Sequence, residues 1–521
     1  MPPIFAFAMM LPRSISKLPR MLTVAVLACA FVLPGRASAK APSVPAAIPD
    51  AVTHHTIVLG GRTLAYTARA GTLTLHNDSG QAAARVFYTA YTLDGADPSK
   101  RAVTFLYNGG PGSSTIWLRM GSFGPVRVQT SDGTITGPPP YRLLDNQYSL
   151  LDRTDLVFID MPGSGFGRII GAGTRKDFWG VDQDAEAFAQ FIQRYITTFN
   201  RWNSPRFLFG ESYGTTRSSV LANDLQNEGI SLNGVVLLSS FLNSNIDYND
   251  GAPIGGGDWA YVLYLPTETA AAWFHGALRG SPSLNALLPE VEQFALGEYL
   301  DALGQGAQLA PDRFNDVVAK LHRYTGLSEQ YIRNSNLRIE YDRFQSELAR
   351  ERGITVGRLD ARFNTYVLDR AEVAPDWDAT DAAIDSAFIS MSNYYLRQVL
   401  RYQTPQLYRA EIYDLIYADG QSWDFKHGND PQVFNVAPDL AQAMTYNPRL
   451  KIFSANGYFD FATPFFATVY TLNHLYLAAP LQRNITWGFY QAGHMVYLHP
   501  AALARFHDDL ERWYAQVLSN R

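Results

Sequence analysis

The sequence GESYG at residues 210–214 follows a short apolar run, 206–209, and precedes a segment with a helical pattern, 214–228. The apolar run has the length and composition of a buried strand. Glycines on both sides of Ser212 allow the chain to reverse sharply, as a strand-to-helix turn requires. The stretch predicts a strand, a tight turn and a helix, with the serine hydroxyl on the turn.

Similar patterns occur on both sides of this unit. Fully apolar runs at 103–107 and 155–160 suit strands that are buried on both faces, and 234–241 is a further strand candidate. Between them, apolar residues at helical spacing predict a helix over 182–199. Strands that alternate with helices predict parallel crossover units, and hence an α/β sheet.

The rest of the chain divides by pattern. Short β-branched runs separated by turn residues predict antiparallel hairpins at the start, and helical patterns such as 267–278, 287–303 and 328–352 dominate the middle. Sheet patterns return at 450–454 and 485–490. The predicted organisation is a signal peptide at 1–39, a tether at 40–53, an α/β core at 54–244, a helical cap insertion at 245–395 and the second part of the core at 396–521.

The N-terminus is typical of an export signal. Arg13, Lys17 and Arg20 precede an apolar run at 21–33, and Ala-Ser-Ala at 37–39 fits a cleavage site. A membrane anchor is the alternative, but so short an apolar run is a poor membrane span. We therefore expect a periplasmic or secreted protein that is cleaved near Ala39.

Composition excludes several classes of protein. The 43 Lys and Arg residues against 48 Asp and Glu residues give a net charge of −5, which argues against a nucleic-acid partner. Cys29 is the only cysteine, and it lies within the predicted signal peptide. The mature chain would have no thiol nucleophile and no thiolate metal site. No zinc-peptidase motif occurs, and we expect neither a metal nor a cofactor.

Ser212 needs a base to take its proton, and in this type of fold a carboxylate and then a histidine follow the serine along the chain. His494 stands just after the strand candidate at 485–490, and Asp460 just after the one at 450–454. Both loops should leave the same edge of the sheet as Ser212. These three residues are the candidate catalytic triad.

Acyl transfer also needs backbone N–H donors for the oxyanion. Tyr213 would provide one donor, and the glycine-rich loop NGGPGSS at 108–114 would provide another. A phosphate-binding loop or a plain turn is the alternative for 108–114, although it lacks the usual Gly-Lys-Ser/Thr ending. The glycine-rich segment 163–167 lacks a nucleotide-binding context, and we expect it to be a loop near the site.

These motifs together resemble the serine carboxypeptidase family, enzymes of the α/β-hydrolase fold that remove C-terminal residues from peptides. The resemblance is carried by NGGPGSS at 108–114, GESYG at 210–214, and Gly-His-Met at 493–495 with Asp460 upstream. It implies a mostly parallel central sheet flanked by helices, with a helical cap insertion and an N-terminal antiparallel extension. It also implies peptide substrates with a free C-terminus.

The resemblance assigns a role to each residue that matches a family motif. Ser212 would be the nucleophile, His494 the general base and then the acid, and Asp460 the group that orients His494. Gly110 and Tyr213 would form the oxyanion hole, and Asn108 and Glu211 would bind the terminal carboxylate of the substrate. Glu211 can donate to a carboxylate only while protonated, so burial would have to raise its pKa.

The chain departs from the family pattern at three positions. Ser113 stands where a disulfide-bonded cysteine is usual, and Leu106 replaces a tryptophan that often contacts the carboxylate. Ser122 stands near the place of a second glutamic acid, which usually pairs with the one beside the nucleophile. An acidic pH optimum is therefore not implied.

Two other functions remain open. The same triad serves an esterase or an acyltransferase, although such an enzyme has no reason to keep a carboxylate-binding pair beside Ser212. A binding protein that kept the fold without activity is the third possibility, and an intact triad argues against it.

Overall fold

The computed structural model describes residues 46–247, 257–278, 280–418, 423–428 and 434–519. The predicted signal peptide and the first six residues of the predicted tether, 40–45, lie outside these ranges. The first strand starts at Ala51, so the last three residues of the predicted tether are already part of the sheet. In the part of the chain that the structure describes, no helix combines the length and apolar character that a membrane span needs.

Fourteen strands occur in the described ranges. They are β1 (Ala51–Leu59), β2 (Arg62–His76), β3 (Ala82–Leu93), β4 (Ala102–Tyr107), β5 (Val126–Val128), β6 (Leu143–Asp145), β7 (Thr154–Ile159), β8 (Arg168–Ile169), β9 (Arg206–Glu211), β10 (Gly234–Leu238), β11 (Ile354–Val356), β12 (Asn364–Tyr366), β13 (Lys451–Gly457) and β14 (Ile485–Tyr490).

Ten of these strands form one sheet in the order β1-β2-β3-β7-β4-β9-β10-β13-β14, with β8 paired to β3. The six strands β7, β4, β9, β10, β13 and β14 are parallel to their neighbours in this group. The pairs β1-β2, β2-β3 and β3-β7 are antiparallel. The predicted fold class, with its N-terminal antiparallel extension, is confirmed. Because the strands are parallel, the loops after β4, β9, β13 and β14 all leave the same edge of the sheet.

The helices cover both faces of the sheet and build the insertion. They are α1 (Ile116–Gly121), α2 (Val181–Thr198), α3 (Tyr213–Asn227), α4 (Ser244–Asp247), α5 (Asp258–Phe274), α6 (Leu284–Phe294), α7 (Leu300–Gln305), α8 (Pro311–Thr325), α9 (Glu329–Asn334), α10 (Tyr341–Glu347), α11 (Ala379–Tyr394), α12 (Tyr413–Ile416), α13 (Ala437–Tyr446), α14 (Phe465–Asn473), α15 (Ala479–Gln482) and α16 (Pro500–Ser519).

The side chains of the central strands alternate between two apolar clusters. In β4, Phe105 belongs to the cluster on one face of the sheet and Leu106 to the cluster on the other. Both residues are fully buried, which explains why the strand is apolar throughout rather than alternating. A third cluster fills the insertion around α5.

The insertion differs in detail from the sequence pattern. The helix predicted over 328–352 is broken, because Asn336 and Leu337 adopt positive φ angles of 52° and 67°. This reversal places Leu337 in the core of the insertion. Helix α11 lies within the predicted insertion, but its apolar residues belong to the cluster on the Leu106 face of the central sheet.

The aromatic residues of α5 are only partly core. Tyr261 and Tyr264 are buried in the insertion. Phe274, at the end of the helix, is 45% exposed.

Candidate active site

Ser212 lies on a strained turn between β9 and α3. Its φ of 62° and ψ of −132° lie outside the regions that most residues adopt. The two glycines of the motif are required by space: a Cβ added at Gly210 would come within 2.1 Å of the Gly214 carbonyl oxygen. The glycines therefore hold Ser212 at the sheet edge, where it is partly exposed while Glu211 and Tyr213 are buried.

Asp460 follows β13 and is fully buried. Its Oδ1 accepts hydrogen bonds from the backbone N–H groups of Ala462 and Thr463, at 2.8 and 3.0 Å. Its Oδ2 accepts from the Thr463 hydroxyl at 2.6 Å and lies 2.8 Å from His494 Nδ1. Four hydrogen bonds thus fix the carboxylate and turn one oxygen towards the imidazole.

His494 follows β14 and is held at both backbone groups. Its N–H donates to the Leu359 carbonyl at 2.6 Å, and its carbonyl accepts from the Ser239 hydroxyl at 2.7 Å. The N–H of Ser212 donates to the carbonyl of Leu238, the neighbour of Ser239. Ser212 is therefore hydrogen-bonded to Leu238, the last residue of β10, and His494 is hydrogen-bonded to Ser239, the next residue along the chain.

The electrostatic surroundings of His494 favour the protonated ring. Burial lowers the pKa of His494, but the charge of Asp460 and its hydrogen bond to Nδ1 outweigh burial, and the pKa lies above 6.5. Glu211 raises it further. An imidazole with this partner on Nδ1 leaves Nε2 as the nitrogen that can exchange a proton.

The glycine-rich loop after β4 lies against the turn at Ser212. A Cβ added at Gly109 would come within 2.4 Å of the Tyr213 nitrogen, so only glycine allows this approach. Gly110 has a φ of 112°, which also favours glycine. The predicted oxyanion donors, Gly110 and Tyr213, thus stand on two loops in direct contact.

Glu211 is buried beside Ser212, and it is 1% exposed. Its Oε1 accepts a hydrogen bond from the Tyr497 hydroxyl at 3.1 Å, while its Oε2 forms no hydrogen bond of standard geometry among the described residues. Burial raises the pKa of Glu211 to about 7, although His494, Tyr497 and Asn108 oppose the rise. This carboxyl group can therefore carry a proton near neutral pH.

Asn108 follows β4, and its side chain lies within hydrogen-bonding reach of Glu211. Its Oδ1 accepts from the Leu118 N–H at 2.9 Å, which identifies the other amide atom as the nitrogen that faces Glu211 and Tyr497. The site thus combines an amide donor and a protonatable carboxyl beside Ser212.

Three contributing residues were missed by sequence reasoning. Thr463 bonds both members of the Asp460–His494 pair, with its hydroxyl 3.1 Å from Nδ1. Its position three residues after Asp460 is a usual local side-chain-to-backbone pattern and could have indicated it. Tyr497 and Leu359 have no such signal, because tertiary packing alone brings them to the site.

Arg217, Ser113 and the segment 163–167 lie in the structure around the site. Arg217 is buried and ion-paired with Asp184 at 2.6 Å, and it also donates to the Asn108 carbonyl at 2.9 Å. The Ser113 hydroxyl forms a hydrogen bond of 2.7 Å with the Tyr413 hydroxyl. Ser113 stands where the serine carboxypeptidase motif usually has a disulfide-bonded cysteine. The segment 163–167 is a loop that pairs with Arg409.

The described residues contain no group of three or more His, Cys, Asp or Glu side chains arranged to hold a metal ion. The chemistry that this arrangement allows is acyl transfer by a serine with a histidine and a carboxylate.

Comparison with known proteins adds the following. Residues 62–277 match the family model described as serine carboxypeptidase. The chain is 30% identical over 186 residues to the pheromone-processing carboxypeptidase KEX1 of Cryptococcus gattii, covering 35% of this chain and 26% of that protein. It is 28% identical over 153 residues to the p-(S)-hydroxymandelonitrile lyase of Sorghum bicolor, covering 29% and 27%.

These matches span only about a quarter of the length of those curated relatives. Among solved structures, proline iminopeptidase from Mycobacterium smegmatis aligns with 87% of this chain and 99% of that chain, at 11% identity and a TM-score of 0.36. So low a score carries no argument about function. Residues 62–277, the part that matches the serine carboxypeptidase family model, include Ser212 and the glycine-rich loop.

Proposed function

We propose that the protein is a serine carboxypeptidase that releases C-terminal residues from peptides. The observation that carries this proposal is Glu211, a buried carboxyl beside Ser212 with one free oxygen and a pKa of about 7. A hydrolase that acts on esters alone has no use for a carboxyl group there. A carboxypeptidase needs it, because a protonated carboxyl and the Asn108 amide can together bind the terminal carboxylate.

The first half of the reaction forms an acyl-enzyme. With the terminal carboxylate at Asn108 and Glu211, the preceding peptide carbonyl lies over Ser212. The Ser212 Oγ attacks the carbonyl carbon while His494 Nε2 takes the hydroxyl proton, and Asp460 stabilises the imidazolium. The N–H groups of Gly110 and Tyr213 bind the oxyanion.

The second half releases both products. The tetrahedral intermediate collapses, the C–N bond breaks, and His494 gives its proton to the leaving amine, which departs as the free C-terminal amino acid. Water then attacks the acyl-enzyme with His494 again as base, and the shortened peptide leaves.

The distinguishing experiment compares one peptide library with free, amidated and methyl-esterified C-termini, and its products are read by mass spectrometry. Peptides with a free C-terminus should lose one residue at a time, and amidated peptides should be cleaved at least tenfold more slowly. A fluorophosphonate should label the wild type and the Ser218→Ala variant, and it should not label Ser212→Ala. Equal cleavage of free and amidated peptides, or hydrolysis of esters alone, would refute a carboxypeptidase.

We further propose that the protein is exported, on the strength of the charged lead-in, the apolar run and the Ala-Ser-Ala site that ends at Ala39. N-terminal sequencing of the mature protein tests this. A mature chain that retains residues 1–39 would contradict it.

A further inference from the structure

Tyr497 stands three residues after His494 and is part of the carboxylate site. Its ring packs on Gly121, where an added Cβ would come within 2.7 Å of the ring. Its hydroxyl reaches Glu211 Oε1 at 3.1 Å, and the whole side chain is only 3% exposed. The phenol is therefore fixed at one end by packing and at the other by a carboxyl oxygen.

Among the described residues, Glu211 is the carboxyl group that accepts from this phenol. Ser122, next to Gly121, is fully buried, and its hydroxyl donates to the Leu118 carbonyl at 2.6 Å. The groups that act electrostatically on Glu211 are His494, Asp460, Tyr497 and Asn108. Of these, Tyr497 alone donates to Glu211 Oε1.

This arrangement makes the two oxygens of Glu211 unequal. Oε1 accepts the phenolic hydrogen, whereas Oε2 is buried without a partner among the described residues. A neutral carboxyl group has one oxygen that accepts and one that carries the hydrogen. The oxygen that already accepts from a phenol is the one that should lack the hydrogen.

We propose that Tyr497 is a positioning residue for substrate binding: its hydroxyl occupies Glu211 Oε1 and so directs the Oε2–H towards the terminal carboxylate of the peptide. The inference rests on the proposed carboxypeptidase function and adds a residue that acts through Glu211. In this site a phenol orients the single carboxyl group that binds the terminal carboxylate together with the Asn108 amide.

The Tyr497→Phe variant tests this by two measurements. For a free-acid peptide at pH 5.5, KM should rise about threefold to tenfold, the equivalent of one hydrogen bond, with kcat little changed. KM for the methyl ester of the same peptide should not change. Because Tyr497 lowers the pKa of Glu211, its removal should also move the alkaline limb of kcat/KM for the free acid to higher pH.

The matched control is Tyr490→Phe, which removes a phenol-to-carboxylate hydrogen bond of 2.9 Å to Asp509, outside the site. It should leave both measurements at wild-type values. If Tyr497→Phe behaves like Tyr490→Phe while the wild type cleaves free-acid peptides, the positioning role is wrong and the carboxypeptidase proposal stands. If the wild type cleaves no free-acid peptide, the proposed function itself is wrong.

A second variant decides the question if Tyr497→Phe does not fold. In Glu211→Gln, the phenol should hold the amide oxygen in the Oε1 position and direct the NH₂ group at the substrate. Binding of the free acid should then be weaker by a few fold, and the alkaline limb should disappear. Complete loss of free-acid cleavage with intact ester cleavage would overturn the proposal, because the amide would not be oriented.

Discussion

Two buried carboxyl groups, Asp460 and Glu211, have surroundings that differ. Asp460 accepts four hydrogen bonds, two from backbone N–H groups and one each from the side chains of Thr463 and His494. Glu211, next to Ser212 in the chain, accepts one from Tyr497 and has an oxygen without a hydrogen bond among the described residues. Both are almost completely buried, so burial does not distinguish them.

The two carboxyl groups differ in the number of hydrogen-bond donors around them. A carboxylate with several donors is stabilised in its charged form and can hold an imidazolium beside it. Burial raises the pKa of a carboxyl group that has few donors to oppose it, and the pKa of Glu211 rises to about 7. The two carboxyls thus suit opposite tasks, one supporting the base and the other binding an anion.

The largest effect is expected from Asp460→Asn. The Asp460 carboxylate accepts from His494 Nδ1–H and so leaves Nε2 free to take a proton, whereas an amide NH₂ group would favour the other tautomer. We therefore expect kcat to fall about 10⁴-fold for free-acid and ester substrates alike. The matched control is Asp439→Asn, which alters a carboxylate that also lies 2.8 Å from a histidine, His427, outside the site. A loss of less than tenfold in Asp460→Asn would remove Asp460 from the triad.

The second effect is a pH dependence that only one of two substrates shows. Glu211 binds a carboxylate while protonated, so kcat/KM for a free-acid peptide should fall about tenfold per pH unit above about 7. The methyl ester should lack this fall. Ionisation of His494 affects both substrates equally, so their ratio isolates Glu211. A constant ratio from pH 5 to 9 would contradict the division of tasks between the two carboxyls.

The smallest effect is expected from Thr463→Val. Three of the four hydrogen bonds to Asp460 remain, because one of the two from Thr463 comes from its backbone N–H. We expect kcat to fall about threefold to tenfold for both substrates, the equivalent of the roughly 1 kcal/mol that one hydrogen bond usually contributes. Thr468→Val is the control, since that buried hydroxyl has no partner among the described residues. An equal loss in both variants would mean that the Thr463 hydroxyl does not support Asp460.

Sequence reasoning succeeded where local pattern and space determine the structure. The strand at β4, the turn at Ser212 and the loop position of His494 follow from apolar runs and from glycines that no larger residue can replace. It failed in the insertion, where the predicted helix over 328–352 is broken at Asn336 and Leu337. A left-handed turn at a leucine leaves no compositional signal, because packing in the insertion core compensates its strain.

The sequence by itself predicted the alternation of strands and helices, the serine turn and the positions of Asp460 and His494 in loops after strands, because each depends on residues close together along the chain. Only the tertiary structure decided what surrounds each carboxyl group. The donors around Asp460 and the single phenol on Glu211 Oε1 include side chains 34 and 286 positions away along the chain. Which donors reach a buried group depends on the folded positions of residues that are far apart along the chain. Spacing along the sequence does not encode those positions.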